Sequence, residues 1–114
     1  DTSMDFNILA AFSISDDSLS PNYYVTSTST YYIDPGEDSL QYSANWSPTG
    51  QAIQIGFVSA TDSNVQYWST NKTGGSTSGT LGTSNVAAGE YYVAIGTPSS
   101  NTEDVSVNGT FEWK

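Results

Sequence analysis

Apolar side chains in this chain recur at every second position, segment after segment, with no helical spacing of useful length. A period of two places them on one face of a pleated strand. The final segment alternates without a fault: Val105, Val107, Gly109, Phe111 and Trp113 against Ser106, Asn108, Thr110 and Glu112. Leu40, Tyr42, Ala44 and Trp46 alternate in the same way with Gln41, Ser43 and Asn45. Ile53, Ile55 and Phe57 share a face, while Ala52, Gly56 and Val58 fill the other, so this strand reads as central. Residues 23–33 read as one long β-branched strand, polar in its middle, and residues 4–14 as another. Shorter strands are expected at 65–70, 77–81 and 91–95.

Turn chemistry separates these segments. In Asp34-Pro35-Gly36-Glu37-Asp38 the proline presets φ and the glycine supplies a positive one. Ser47-Pro48-Thr49-Gly50 and Asp16-Asp17-Ser18 read as further turns. Short strands with regular turns predict an all-β fold: an antiparallel β-sandwich of about eight strands, jelly-roll-like or immunoglobulin-like. No composition shift marks a boundary, so 1–114 reads as a single β-sandwich domain, with 1–14 a candidate for an exchanged or inter-subunit strand.

Composition removes whole classes of function. Twelve acidic residues face two lysines, for a net charge of -10. That balance argues against nucleic-acid binding, which needs cations to neutralise phosphates, and against docking on anionic lipid. No apolar run is long enough for membrane insertion as a helix. With no His and no Cys there is no imidazole base, thiol nucleophile or Ser-His-Asp triad. The polar surface is built instead from 19 Ser and 14 Thr. A surface rich in Ser, Thr and Tyr and poor in Lys predicts an extracellular or cell-surface location.

Pro35-Gly36-Glu37, the strand from Gln51 to Phe57, the phrase Ala88-Gly89-Glu90-Tyr91-Tyr92-Val93-Ala94-Ile95 and the closing Val105 to Phe111 follow a recurrent layout. Over residues 33–113 it resembles the small bacterial extracellular β-sandwich modules typified by pre-peptidase C-terminal domains. The resemblance implies a jelly-roll-like fold and a non-catalytic role in binding, anchoring or secretion.

Four kinds of site suggest themselves. The paired acids Asp16-Asp17, Glu37-Asp38 and Glu103-Asp104 are the residue type for glycoside cleavage, but all lie in expected turns, where Asp is favoured for backbone reasons. No enzyme is expected. Calcium is the one cofactor the composition suits, through Asp34, Glu37 and Asp38, or Asp62 and Asn64, since it takes hard oxygen ligands. Aromatic pairs on a strand must split between its faces. Trp68, Tyr92, Tyr24 and Tyr32 are therefore outward candidates for stacking on polysaccharide, while Trp46, Trp113 and Tyr91 belong with the core. The apolar, nearly uncharged run Phe6, Ile8, Leu9, Ala10, Phe12 and Ile14 is a candidate for pairing with copies of the same chain. Sequons start at Asn45, Asn71 and Asn108, and Asn71 alone falls in an expected loop, making it the glycosylation candidate. The leading expectation is a non-catalytic structural or surface protein that self-associates as a fibre or coat subunit. The alternative is a carbohydrate-binding or adhesive module.

Overall fold

The computed structural model describes residues 11–114. Its strands are β1 (Phe12–Leu19), β2 (Tyr24–Thr26), β3 (Tyr31–Ile33), β4 (Ser39–Ser47), β5 (Gln54–Ser59), β6 (Gln66–Trp68), β7 (Ser76–Gly82), β8 (Gly89–Gly96) and β9 (Val105–Trp113). They form two antiparallel sheets. Sheet A has the order β1-β9-β4-β7, and sheet B has β2-β8-β5-β6, with β3 also on β8. The pairings nest: β1 with β9, β2 and β3 with β8, β4 with β7, β5 with β6. One long hairpin has been rolled up, which is jelly-roll connectivity with the second strand cut in two. An immunoglobulin sandwich would set the first strand beside the second. Here the neighbour of β1 is β9.

The alternation in β4 and β9 becomes alternating burial without exception. Inward side chains from both sheets meet in a core with Phe57, Phe111, Ile55 and Ile95 almost fully buried. Stacked rings run through it: Phe12 on Tyr31 at 4.9 Å, Phe12 on Phe111 at 5.4 Å, and Phe57 on Trp113 at 5.8 Å. Offset aromatic contacts of this kind add to the area they bury. Trp46 and Trp113 are both in the core, as alternation requires. The Trp46 indole donates to the Gln51 carbonyl at 2.8 Å. That of Trp113 is buried with no acceptor among the described residues.

Two expected features take a different form. The Asp16-Asp17-Ser18 turn is a bulge inside β1, where the register slips between Asp16↔Val107 and Leu19↔Val105. The Asp16 carboxylate accepts from Ser18 N at 2.8 Å, and the Ser18 hydroxyl donates to Asp104 at 2.7 Å. The extra residue resets the pleat, so Leu19 points inward where strict alternation from Ile14 would have sent Ser18. The expected strand 23–33 is broken between β2 and β3. Ser27 is buried, and its hydroxyl accepts from Val93 N at 3.1 Å and donates to Ser29 O at 2.7 Å. A side chain has taken a ladder position, and the main chain leaves the sheet until Tyr31.

Burial raises the phenol pKa of Tyr31 above the ordinary 10.0. It does the same at Tyr91, with the neighbouring Tyr67 hydroxyl adding to the effect. The folded state therefore holds these protons more tightly than the unfolded chain does. Stability is full below the ordinary tyrosine pKa of 10.0 and falls as pH rises past it. Thermal melting followed up to about pH 11 should show that decline, and Tyr31→Phe should make it shallower. An equal slope in the variant would show that Tyr31 is not responsible.

Candidate functional site

A two-sheet sandwich has four edges, and three of these are blunted. The β1 edge carries the bulge and the charges of Asp16 and Asp17. The edge opposite β8 is interrupted between β2 and β3. The β6 edge has only three residues. Bulges, charges and short strands are the devices that stop unwanted strand addition. β7 has none of them. It is seven residues long, Ser76-Thr-Ser-Gly-Thr-Leu-Gly82, without charge or proline. Among the described residues it pairs with β4 on one side and with nothing on the other. Gly79 lets it lie close: a Cβ there would come within 2.9 Å of the Tyr42 hydroxyl that crosses it. The outward face beside it is a carpet of small polar groups, including Ser43, Ser78, Thr80 and Thr110, with Gln41 and Glu112 in the adjoining row.

The outward face of sheet B is aromatic instead. Tyr24 pairs with Gly96, Trp68 with Gly56, Tyr92 with Val58 and Tyr32 with Glu90. All four outward candidates therefore share one face. Trp68 and Tyr24 are in ring contact at 5.9 Å, tilted by 54°. Trp68 lies across two glycines, since a Cβ on Gly56 would sit 2.4 Å from its ring and one on Gly96 2.9 Å. The Trp68 indole donates to Gln66 Oε1 at 2.9 Å, and Gln66 is itself anchored to Ser63 O at 2.7 Å. Beside them is a shallow cleft of about 500 Å³, also lined by Asn22, Tyr23 and Gln54. Of the tyrosine pairs, Tyr31-Tyr32 and Tyr91-Tyr92 split as expected, while Tyr23 and Tyr24 are both exposed.

Of the apolar run, Phe6, Ile8, Leu9 and Ala10 lie outside the described residues. Ile14 is in the core, and Phe12 packs on Tyr31 and Phe111 of its own chain. Asp34 and Asp38 share a turn in which Asp38 accepts from Asp34 N at 3.2 Å, with Glu37 exposed beside them. Asp62 accepts from Asn64 N at 3.0 Å in another. The Asp38 and Asp62 carboxylates serve as turn acceptors, and no group of three acids converges to hold a metal among the described residues. Asn71 is exposed between β6 and β7, one residue before the bridge of Lys72 to Ile53. The paired acids Asp16 and Asp104 both bind Ser18 on the surface. No described helix is long and apolar enough to cross a membrane.

β7 gives only a weak strand signal in the sequence, because its residues are too small and polar for an amphipathic pattern. The available cue was negative: a stretch of strand length without charge or proline.

No family model matches the chain, and no curated protein does. The resemblance of residues 33–113 to pre-peptidase C-terminal domains thus rests on its motifs alone. Among solved structures, the chain is similar to a subunit of Bacillus endospore appendages, described as a family of disulfide-linked pili. The identity is 14% and the TM-score 0.39, covering 91% of this chain and 85% of that one. It is also similar to chains of infectious bursal disease virus, of the Gx strain at 11% identity and TM-score 0.44, and of the Gt strain at 11% and 0.41. Each covers 91% of this chain, which spans only 31% and 30% of the viral chains.

Proposed function

We propose that this protein is a non-catalytic structural subunit acting outside the cell, which self-associates by adding a strand of a second copy to the open β7 edge. The observation that carries this reading is the contrast between β7 and the three blunted edges. An unguarded edge strand offers a row of main-chain donors and acceptors that a partner strand completes. The small polar carpet of sheet A around it brings only one carboxylate, Glu112, in the rows of Ser43 and Gln41, so copies approach there with little repulsion. The sequence also supplies a candidate donor in the part of the apolar run that precedes β1, Phe6, Ile8, Leu9 and Ala10.

Light scattering over a hundredfold concentration range should show mass growing with concentration. Ser78→Glu with Thr80→Glu would put charge on the open edge, the device that blunts the β1 edge, against an apolar partner strand. The expected penalty is about 1–2 kcal/mol, so assembly should need roughly 5- to 30-fold more protein. Removing residues 1–10, which leaves β1 whole, should weaken assembly as well. A wild-type protein that stays at 12.1 kDa throughout would overturn the reading.

A further inference from the structure

The aromatic face of sheet B is remote from the β7 edge and has a chemistry of its own. The Trp68 ring lies over Gly56 and Gly96 and lines the cleft, with Tyr24 tilted against it. Two glycines on adjacent strands make the room, and the hydrogen bond to Gln66 holds the ring. Around this platform are groups that can both donate and accept. The side chains of Gln54 and Asn22 and the hydroxyls of Tyr23 and Tyr24 have no hydrogen-bond partner among the described residues. No Asp, Glu, Lys or Arg lines the cleft. In a chain of net charge -10, an uncharged recess is a selective feature.

We infer that this cleft binds a neutral saccharide. Its flat C–H face would lie on Trp68, and its hydroxyls would meet Gln54, Asn22 and the tyrosine hydroxyls. Ring faces carry partial negative charge and attract weakly polarised C–H groups. Amides, as combined donors and acceptors, satisfy sugar hydroxyls. An apolar platform with a few convergent polar groups is the usual form of a small-ligand site. Tyr92 and Tyr32 continue the same face toward Glu90, six residues along β8 from Gly96, a path of about 20 Å. That length favours an oligosaccharide over a single ring. A proline-rich peptide, the other common occupant of aromatic grooves, docks between parallel aromatic ridges. Here the two rings are tilted by 54° to one another and form no such pair of ridges.

The test is two-dimensional NMR of the full chain, at a concentration where light scattering finds monomer. The three indole N–H signals are followed while cellohexaose or mannohexaose is added. An oligogalacturonate and decaproline are titrated in parallel. The expected result is a saturable shift of the Trp68 indole alone with at least one neutral hexasaccharide. Affinity, read for the variants from the backbone amides of Gln54 and Gly96, should drop about tenfold or more in Trp68→Ala, and likewise in Tyr24→Ala. Tyr24 is 38% exposed, so that variant keeps the test decisive if Trp68→Ala does not fold. The inference is overturned by a Trp68 signal that stays still with both neutral sugars up to about 10 mM. Equal binding in the variants, equal binding of oligogalacturonate, or a response to decaproline alone would overturn it too.

Discussion

Phe57→Ala is expected to lower the stability of the sandwich by about 3–5 kcal/mol, the range for a large ring removed from a tightly packed interior. Phe57 is 1% exposed on β5, one of the two strands of sheet B with neighbours on both sides. Its ring stacks on Trp113 at 5.8 Å and meets the edge of Tyr91 at 6.5 Å. Both partners are themselves wedged, Trp113 by Tyr31 and Tyr91 by Tyr67, so the site cannot collapse to fill the cavity. The loss is a large share of the total for a small domain, typically about 5–15 kcal/mol. Denaturant unfolding followed by tryptophan fluorescence reads it directly. A loss under about 1.5 kcal/mol would mean that the core repacks freely, contrary to the interlocked rings.

The second large effect is expected at Gly56, which precedes Phe57 and faces the other way. A methyl group there would come within 2.4 Å of the Tyr67 carbonyl oxygen as well as 2.4 Å of the Trp68 ring. A rotating side chain could give way, but a carbonyl in the β5–β6 ladder cannot move without opening the strand pair. Gly56→Ala should therefore cost about 1–3 kcal/mol, the range for overpacking, and release Trp68 from its seat. The emission of Trp68 should shift to the red as its ring turns toward water. Gly82→Ala is the matched control: nothing lies within 4 Å of its added methyl group, so a change within about 0.5 kcal/mol is expected. Equal losses at the two positions would refute the steric account. If the cleft holds a saccharide, Gly56→Ala should weaken that binding although it touches no ligand.

The strands most faithfully read from the sequence were those with one wet and one dry face. β4 and β9 match expectation because Leu40 to Trp46 and Val105 to Trp113 each carry their own evidence of orientation. The assignment of Trp68 to the outside came from the same rule, through its opposition to Val65 and Tyr67. What was not legible was its environment. The glycines beneath it come from β5 and β8, distant in sequence, and Tyr24 arrives from the far edge of the sheet. The Asp16 bulge and the Ser27 break were hidden for a related reason. Both depend on hydrogen bonds to residues far along the chain, Asp104 and Val93, that no local pattern announces.

Period-two alternation is a local property, since each side chain's face follows from its neighbours two residues away. It was enough to determine an all-β sandwich, the inward faces of β4, β5 and β9, and the outward set Tyr24, Tyr32, Trp68 and Tyr92. Composition, equally independent of folding, leaves no imidazole or thiol in the chain, and its charge balance argues against nucleic acid. The tertiary structure decided which strands became neighbours, and everything that depends on neighbours. It rolled one hairpin into a jelly roll, and it left β7 as the one unguarded edge among the described strands. It also laid Trp68 across two glycines beside Tyr24. Those outcomes belong to strand pairing over long sequence separations, which alternation constrains by face and leaves open by partner.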